Sequence, residues 1–570
     1  MSLALSLSNA VSGLQAAQAN LGLIASNIAN AQTPGYSRQL LPQEAVDNGD
    51  LGGGGVRTGV AERVTDQVLN SNLLTQNSIT SSASTLSSYF ARIQDLFGSV
   101  SNNTSLNASL SNFTSSLQTL AATPEDSVAQ SNVISSGQSL TELLNNTSAS
   151  IQSLRTNADT DINTAVGTVN TLLNSIVNFN TEIAHARAFN ESTATLEDQR
   201  DQAVGQLSKQ LNIQSFTRAD DSMVVLTSTG KTLVDSIAEP LSFTPSGALS
   251  AATPGSGVFV NGINVTNDIT GGNIGALLQM RNTQLPNLTA ELNQFTKNLF
   301  NTAQQTQSSQ AVAVGGGLPA AGDTFTVTIN GGAAFTTAPL VASTPPDPST
   351  ADIAAAINTA IQANVGAQPN LATVTATASG NAVLFTDTAG SALNVTVALA
   401  AGAGTETFTP APASLPLQFF ANVTAGSVDN AATIAVNPTL VANPALLNGP
   451  TGVNAVADPT ISANLATALS QKISTFAAAG NFPASQNLTL NQYATQILGQ
   501  SATAAAAASD NATFQTGVQS EISTRAQSVS AVNMDQELAS LSIYQTAYSA
   551  SAHVVSVVQA MFATLLQSVQ

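Results

Sequence analysis

Side chains able to hold a metal, activate a nucleophile or move a proton are scarce in this sequence. Its two histidines, His185 and His553, sit in helical patterns with no second His and no Cys at metal-ligand spacing. Cysteine is absent, which excludes a thiolate metal site, a disulfide scaffold and a cysteine nucleophile. No G-x-S-x-G, P-loop or H-E-x-x-H string occurs. The acidic residues of the 311–410 region, Asp323, Asp347, Asp352, Asp387 and Glu406, come singly, unlike the closely spaced oxygen ligands of a calcium loop. The densest charged string is Glu197-Asp198-Gln199-Arg200-Asp201. It reads as an ion-pairing segment, with Glu197 or Asp198 opposite Arg200 or Arg281, a contact of small energetic weight if exposed. The expectation is a non-enzyme with no catalytic residue, cofactor or metal.

Composition narrows the partners. The chain has 570 residues, enough for several cores, and 43% of them are apolar. Only 8% are charged, and 14 Lys+Arg against 33 Asp+Glu give a net charge of −19. Nucleic acid and anionic membrane, which recruit cationic surface, are poor candidates. Residues 1–37 carry no charge, so the basic n-region of a secretory signal is missing. No run is expected to reach the ~20 apolar residues of a membrane span. The chain therefore stays in the cytoplasm or leaves by a route that needs no cleaved signal.

The elements that must do the positioning are helices at both ends. Leu3, Leu7, Ala10, Leu14, Ala17, Leu21, Ile24 and Ile28 recur at 4-3-4-3-4-3-4. Leu541, Tyr544, Tyr548, Ser551, Val555, Val558, Phe562, Leu565 and Val569 keep the same alternation. Both are seams of the coiled-coil kind. Residues 538–570 carry no charged side chain, so the C-terminal helix lacks the polar face of a surface helix and needs partners on more than one side.

Between the ends, stripes such as Tyr89, Ile93, Leu96, Val100 and Leu172, Ile176, Phe179, Ile183 predict helices over 61–212. Residues 213–272 read as a small β insert. Helix returns at 273–310, with Pro286 in a first turn. Residues 311–420 read as a second insert. Its expected elements are a strand at Thr324–Ile329, an Asn330-Gly331-Gly332 turn, a helix at Ala351–Ala363, and strands at Ala372–Thr377 and Ala382–Asp387. Residues 421–450 read as irregular, and helix as resuming near Ile461 and running, with Gly breaks, to the C-terminus. The predicted class is multidomain α+β. Residues 1–60 and 531–570 form a terminal helical assembly domain with a coiled-coil-like stem. Residues 61–212, 273–310 and 421–530 form a long helical domain. The inserts 213–272 and 311–420 project outward.

The string Ser26-Asn27-Ile28-Ala29-Asn30-Ala31-Gln32-Thr33-Pro34-Gly35-Tyr36-Ser37 is locally a helix stop. Asn30 tolerates a left-handed end, Pro34 biases Thr33 away from helix, and Gly35 permits positive φ. As a whole, through Asn27, Asn30, Thr33, Pro34, Gly35 and Tyr36, it resembles the N-terminal signature of the bacterial flagellar axial proteins: rod, hook and hook-associated proteins. Val532 to Leu541, followed by Tyr544 to Ala552, resembles the matching C-terminal signature, with Gln536 at a usually acidic position. Leu196 to Asp201 with Leu207-Ser208, and Gly271 to Leu278 with Arg281, resemble internal strings of the hook-associated branch. Residues 322–400 resemble the small β insert of flagellins and their relatives.

The resemblance implies a structural role in filament assembly and swimming motility. It implies a ring of subunits between hook and filament, touching hook protein on one side and a second junction protein (FlgL) on the other. It implies export without a cleaved signal through the flagellar type III apparatus to the extracellular flagellum, with no membrane insertion and no nucleic acid. An FlgN-type chaperone would first hold the stripe from Leu541 to Leu565. Leu3, Leu7, Leu14, Leu21, Ile24 and Ile28 would form the N-terminal assembly interface. The competing readings are another axial protein (hook protein, the second junction protein or a flagellin) and a secreted adhesin.

Overall fold

The computed structural model describes residues 3–46, 54–97, 105–247, 249, 253–303, 308–316, 319–342, 348–379, 382–387, 393–402, 407–410, 418–448, 459–473, 475–485 and 487–568. Val100, Asp347, Glu406 and Val569 lie outside the described residues.

Helix α1 (Leu3–Asn30) turns through residues 31–38 into β1 (Gln39–Leu40), β2 (Gln43–Ala45), β3 (Val56–Thr58) and β4 (Glu62–Arg63). Strand β1 pairs antiparallel with β4 and β2 with β3, making one ribbon. The ribbon lies along α1, where the Ser12 hydroxyl accepts from the Val56 N–H at 3.1 Å. Its pairs are two or three residues long, too short for an alternation signal, and the periodicity of the sequence did not predict them.

The helical body follows: α2 (Gln67–Leu96), α3 (Leu106–Ala122), α4 (Ser127–Ala188) and α5 (Ala194–Gln210). Asp66, Ser105 and Asp126 cap α2, α3 and α4 by accepting from backbone N–H groups. Two three-stranded antiparallel sheets come next. One holds β5 (Ile213–Thr217), β6 (Met223–Thr227) and β7 (Thr232–Val234); the other holds β8 (Leu241–Ser242), β9 (Phe259–Val260) and β10 (Ile263–Asn264). Helix α6 (Gly272–Gln279) passes through a π turn, Met280–Gln284, into α7 (Leu285–Thr302), with Pro286 in its first turn.

The second insert opens with a strand at Ser308. It comprises β11 (Ser308–Gly315), β12 (Thr324–Ile329), β13 (Phe335–Thr336), α8 (Thr350–Asn364), β14 (Val374–Ser379), β15 (Ala382–Asp387), β16 (Val395–Ala401) and β17 (Thr407–Pro410). The sheet orders are β14-β15-β11-β17 and β13-β12-β16. Strands β12 and β15 fall on the expected residues. Strand β14 starts two residues late, because a 3-10 turn, Pro369–Thr373, precedes it. Phe325, Val327, Ile353, Ile357, Leu371 and Phe385 build a core that shares no residue with that of the body.

The 421–450 stretch is more ordered than its prolines suggested. Strand β18 (Phe420–Ala421) pairs with β19 (Ala435–Val436) around α9 (Asn430–Thr433), and α10 (Pro438–Ala442) follows. Phe419 and Phe420 pack on Phe113 with centroids 4.8 and 5.7 Å apart, which anchors the segment to α3. After α11 (Pro459–Ser470), the expected helix with Gly breaks gives way to a hairpin, bridged at Ile473–Leu488, Phe476–Ser485 and Ala479–Phe482. Gly480 turns it at φ 57°. Only then come α12 (Leu490–Ser530) and α13 (Met534–Ser568). Helix α12 lies antiparallel along α2, tied by Gln76 to Gln515 and by Gln519 to Asn77. Helix α13 lies along α1.

Candidate functional site

Three of the four strings singled out in the sequence meet in space where the terminal helix pair joins the body. Asn27, on the last turn of α1, is buried and fully used. Its amide donates to Gln39 O at 2.9 Å and to Glu537 Oε2 at 3.2 Å. Its carbonyl accepts from the Tyr36 hydroxyl at 2.9 Å and the Gln39 N–H at 3.1 Å. Burial, opposed by a hydrogen bond to Ser26, raises the Tyr36 pKa, so the phenol keeps its proton and remains a donor.

Glu537 is 1% exposed and closes the knot. Its Oε1 accepts from Arg38 Nε at 2.7 Å. The Arg38 backbone continues outward, its N–H donating to Ser530 O at 2.7 Å and its C=O accepting from Val64 N at 2.8 Å. The end of α1, the start of α13, the end of α12 and the ribbon are thus tied by one arginine.

The remaining motif residues shape the turn. Thr33 N donates to Asn30 O at 2.8 Å, and Tyr36 N to Thr33 O at 3.2 Å. Gly35 has φ 77°, a conformation that favours glycine, and the Gln202 side chain packs directly over it. That amide donates to Pro34 O at 3.2 Å.

The body supplies α5. Ser37 N donates to Asp198 Oδ2 at 3.0 Å. Arg63, at the end of the ribbon, reaches Glu197 at 2.8 Å and Asp198 and Asp201 at 2.9 Å each. Burial alone would lower the Arg63 pKa, but these carboxylates reverse that and raise it, keeping the cation charged. Burial alone would likewise raise Glu197, but the Thr193 hydroxyl and Arg63 overcome it and hold its carboxyl below the usual range.

This corrects the ion pairing expected from the sequence. Glu197 and Asp198 pair with Arg63, which no sequence pattern had marked. Arg200 instead donates to Asn180 Oδ1 at 3.1 Å and Asp221 O at 2.6 Å, gripping the β5–β6 turn. Arg281 pairs with Asp159 at 2.5 Å in the middle of the body. The Arg63 and Arg281 pairs are largely buried, so losing one partner costs more than at a surface pair.

The terminal seams pack as an antiparallel pair. Asn27 stands opposite Glu537, and Gly13 is so close to Ser551 that a Cβ would lie 3.2 Å from its Oγ. On α1, Ile24 is buried, and Leu3, Leu7, Leu14, Leu21 and Ile28 are half-buried. On α13, Val558 is buried, Leu541, Tyr544 and Val555 are half-buried, and Tyr548, Phe562 and Leu565 are exposed. A neighbouring row, Ile543, Ala547, Ala550, Val554, Val557 and Met561, repeats at 4-3-4-3-4 and is exposed throughout. By length and hydropathy, the stretch Leu490–Gln567 contains an 18-residue window of mean hydropathy 1.5, apolar enough to cross a membrane, contrary to the reading of the sequence.

His185 stacks on Phe189 with centroids 4.8 Å apart at the end of α4, and His553 is solvent-facing. Among the described residues no group of three His, Cys, Asp or Glu is placed to hold a metal.

With this geometry, three family matches follow the chain in order. Residues 7–36 match the flagella basal body rod protein family, residues 90–325 the helical domain of flagellar hook-associated protein FlgK, and residues 524–568 the C-terminal part of flagellar basal body rod FlgEFG proteins. Over residues 90–325 the chain is similar to the helical domain of FlgK. Among named proteins similar to this chain, flagellar hook-associated protein 1 of Bacillus subtilis is 31% identical over 219 residues, 36% of this chain and 43% of that one. The Salmonella typhimurium protein of the same name is 30% identical over 252 residues, 42% of this chain and 45% of that one. The chain thus spans less than half the length of these relatives. A solved structure, the flagellar hook junction protein FlgK from Burkholderia pseudomallei, aligns with 80% of this chain and 100% of its own at 16% identity and a TM-score of 0.47. Two of the matched segments, 7–36 and 524–568, contain the two halves of the Asn27–Glu537 knot.

Proposed function

We propose that the chain is a structural subunit of the junction between the flagellar hook and filament. The observation that carries the reading is the uncovered 543–561 row on α13. A charge-free apolar row on an already paired helix calls for a second partner, and a tubular assembly supplies one on every subunit. On this reading α1 and α13 form a coiled-coil-like stem, the body stands on it, and the 308–410 module faces outward. Subunits close into a ring with their own kind, hook protein packs on one side, and the second junction protein (FlgL) packs on the other. The knot of Asn27, Tyr36, Arg38 and Glu537, backed by Arg63 and Asp198, sets the stem on the body.

Before assembly, the stripe Leu541, Tyr544, Tyr548, Val555, Val558, Phe562 and Leu565 is the segment an FlgN-type chaperone would take as a helix in a groove. The subunit then leaves through the type III apparatus without a cleaved signal. The test is electron microscopy of cells lacking the protein. Hooks without filaments, with flagellin shed to the medium, are expected; normal filaments on such cells would overturn the proposal.

A further inference from the structure

Far from the knot, one buried acid has no charged partner. Glu291, on α7, is 2% exposed. Its Oε1 accepts from the backbone N–H of Asn481 at 2.8 Å, the Asn481 side chain is a second neutral donor, and no salt bridge reaches it. Asn481 and Gly480 form the tip of the 473–488 hairpin, and the tip is held a second time where Asn287, one turn before Glu291, donates to Asn481 Oδ1 at 2.9 Å. Gly480 presses so close that a Cβ would lie 2.6 Å from Glu291 Oε1.

Under the hairpin, Tyr493 of α12 stacks on Phe476 with centroids 4.4 Å apart and meets Phe482 edge-on at 5.5 Å. Its hydroxyl is buried without a hydrogen-bond partner, and the nearby Glu291 helps to raise its pKa, after burial itself. Around the site, α3, α9 and α11 carry no charged residue, and within the 473–488 hairpin there is none. On α7 the other charge is Lys297, nearly two turns away, and no charge on α4 acts on Glu291. Tyr493 is thus the titratable group that faces it.

A carboxylate in an aromatic, uncharged site whose only donors are the neutral groups of one asparagine is poorly compensated, whereas the neutral acid fits it. We infer that Glu291 and the 473–488 hairpin form a proton-sensitive latch: the neutral acid lets the tip seat over α7 and α12, and loss of the proton loosens it and uncovers Phe476, Phe482 and Tyr493.

Burial raises the Glu291 pKa to about 7 against the backbone and side-chain bonds of Asn481, which lower it. The sign follows from that direction. In the open hairpin the acid returns to the ordinary value, about 4.3. The latch is therefore strongest below that pH, weakens as pH rises towards 7, and stays at its weakest above it. Linkage gives a roughly tenfold rise in the opening equilibrium between pH 6 and pH 8.

The test is hydrogen exchange of the full chain, read on hairpin amides as protection factors so that intrinsic exchange rates cancel. A tenfold loss of protection from pH 6 to pH 8 is expected, with no loss in Glu291→Gln and the full loss retained in Tyr493→Phe. Equal protection at both pH values, or the same loss in Glu291→Gln, would overturn the latch. Should Glu291→Gln fail to fold, carbon NMR of glutamate carboxyls in the native chain decides: a Glu291 midpoint near 7 supports the proposal, and one near 4.3 ends it. The inference stands on α7 and the hairpin and does not depend on the junction role.

Discussion

Helices α4 and α13 are both long and both apolar on a face, yet only one is closed by its neighbours. On α4, Ile151, Ile162, Val169, Leu173 and Ile176 are wholly buried against α3, α5, α6, α7 and the β insert. On α13, Ile543 is 67% and Leu566 71% exposed, and Glu537 and Val558 are its buried residues among those described. The first helix is finished when the chain folds. The second is finished on one side by α1 and is fixed in place by a polar knot. Hydrophobic periodicity alone does not separate the two cases. The absence of charge on α13 beyond Glu537 does, because a helix destined for water keeps a charged face.

The widest gap should appear in backbone opening. In a verified monomer, amides of α4 should be protected close to the limit of global unfolding. Those of α13 beyond Tyr548 should exchange faster by several orders of magnitude, since few contacts offset an ordering cost of roughly 1–2 kcal/mol per residue. Equal protection in both helices would erase the contrast.

Side-chain truncation sharpens it. Ile162→Ala should cost the body about 2–5 kcal/mol, read from denaturant midpoints, because it empties a fully enclosed site. Ile543→Ser should change monomer stability by no more than about 0.5 kcal/mol and still prevent filament attachment. A variant at Ile543 that attaches filaments normally would show that the exposed row is ordinary surface.

The knot should give an intermediate effect. Glu537→Ala leaves Arg38 and the Asn27 amide short of a partner. Breaking a buried pair costs about 3–5 kcal/mol, and the 21% exposure of the Arg38 side chain moves the expectation to the lower end. The measurable consequence is faster proteolysis between residues 30 and 66 with an unchanged melting transition of the body. Acid should act more weakly at α5. Because the folded pKa of Glu197 lies below its unfolded value, its contribution is present above about pH 4.3 and is lost as pH falls through the folded value. Cleavage of the ribbon should therefore accelerate in acid in the wild type and less so in Glu197→Gln.

Much of this was legible in the residues. The terminal helices, Pro286, β12 and β15 follow from period and punctuation, which are local. What the sequence hid was non-local or short. Arg63 stands 134 residues from Glu197 and in a two-residue strand, so no periodicity links them. The 473–488 hairpin is made of isolated bridges rather than ladders, and its strands show no clean alternation. The wrong partners expected for Asp198 were the arginines nearest in motif. The right one was set by the ribbon, which brings β4 back to α5.

The smallest effect should come from the outer insert. Its core, with Phe325, Ile357 and Phe385 fully buried, closes on itself, and no residue of it belongs to the core of the body. Inserts that own their core behave as separate folding units, and distant sites add independently. Joining Ala303 to Gln418 through a short Gly/Ser linker should therefore leave the denaturant midpoint of the body within about 0.5 kcal/mol of the parent, with its slope unchanged for the remaining residues. The helical circular-dichroism signal should fall only by the share that α8 supplies. Filament attachment should persist, because every knot residue and both seams lie outside the deletion. A large loss of body stability would mean that α7 and the 418–436 segment are held together through the insert rather than by their own contacts, such as Ala431 N donating to Asn293 Oδ1 at 2.8 Å. The contrast would then lie between a body that needs its outer module and a terminal pair that needs its neighbours.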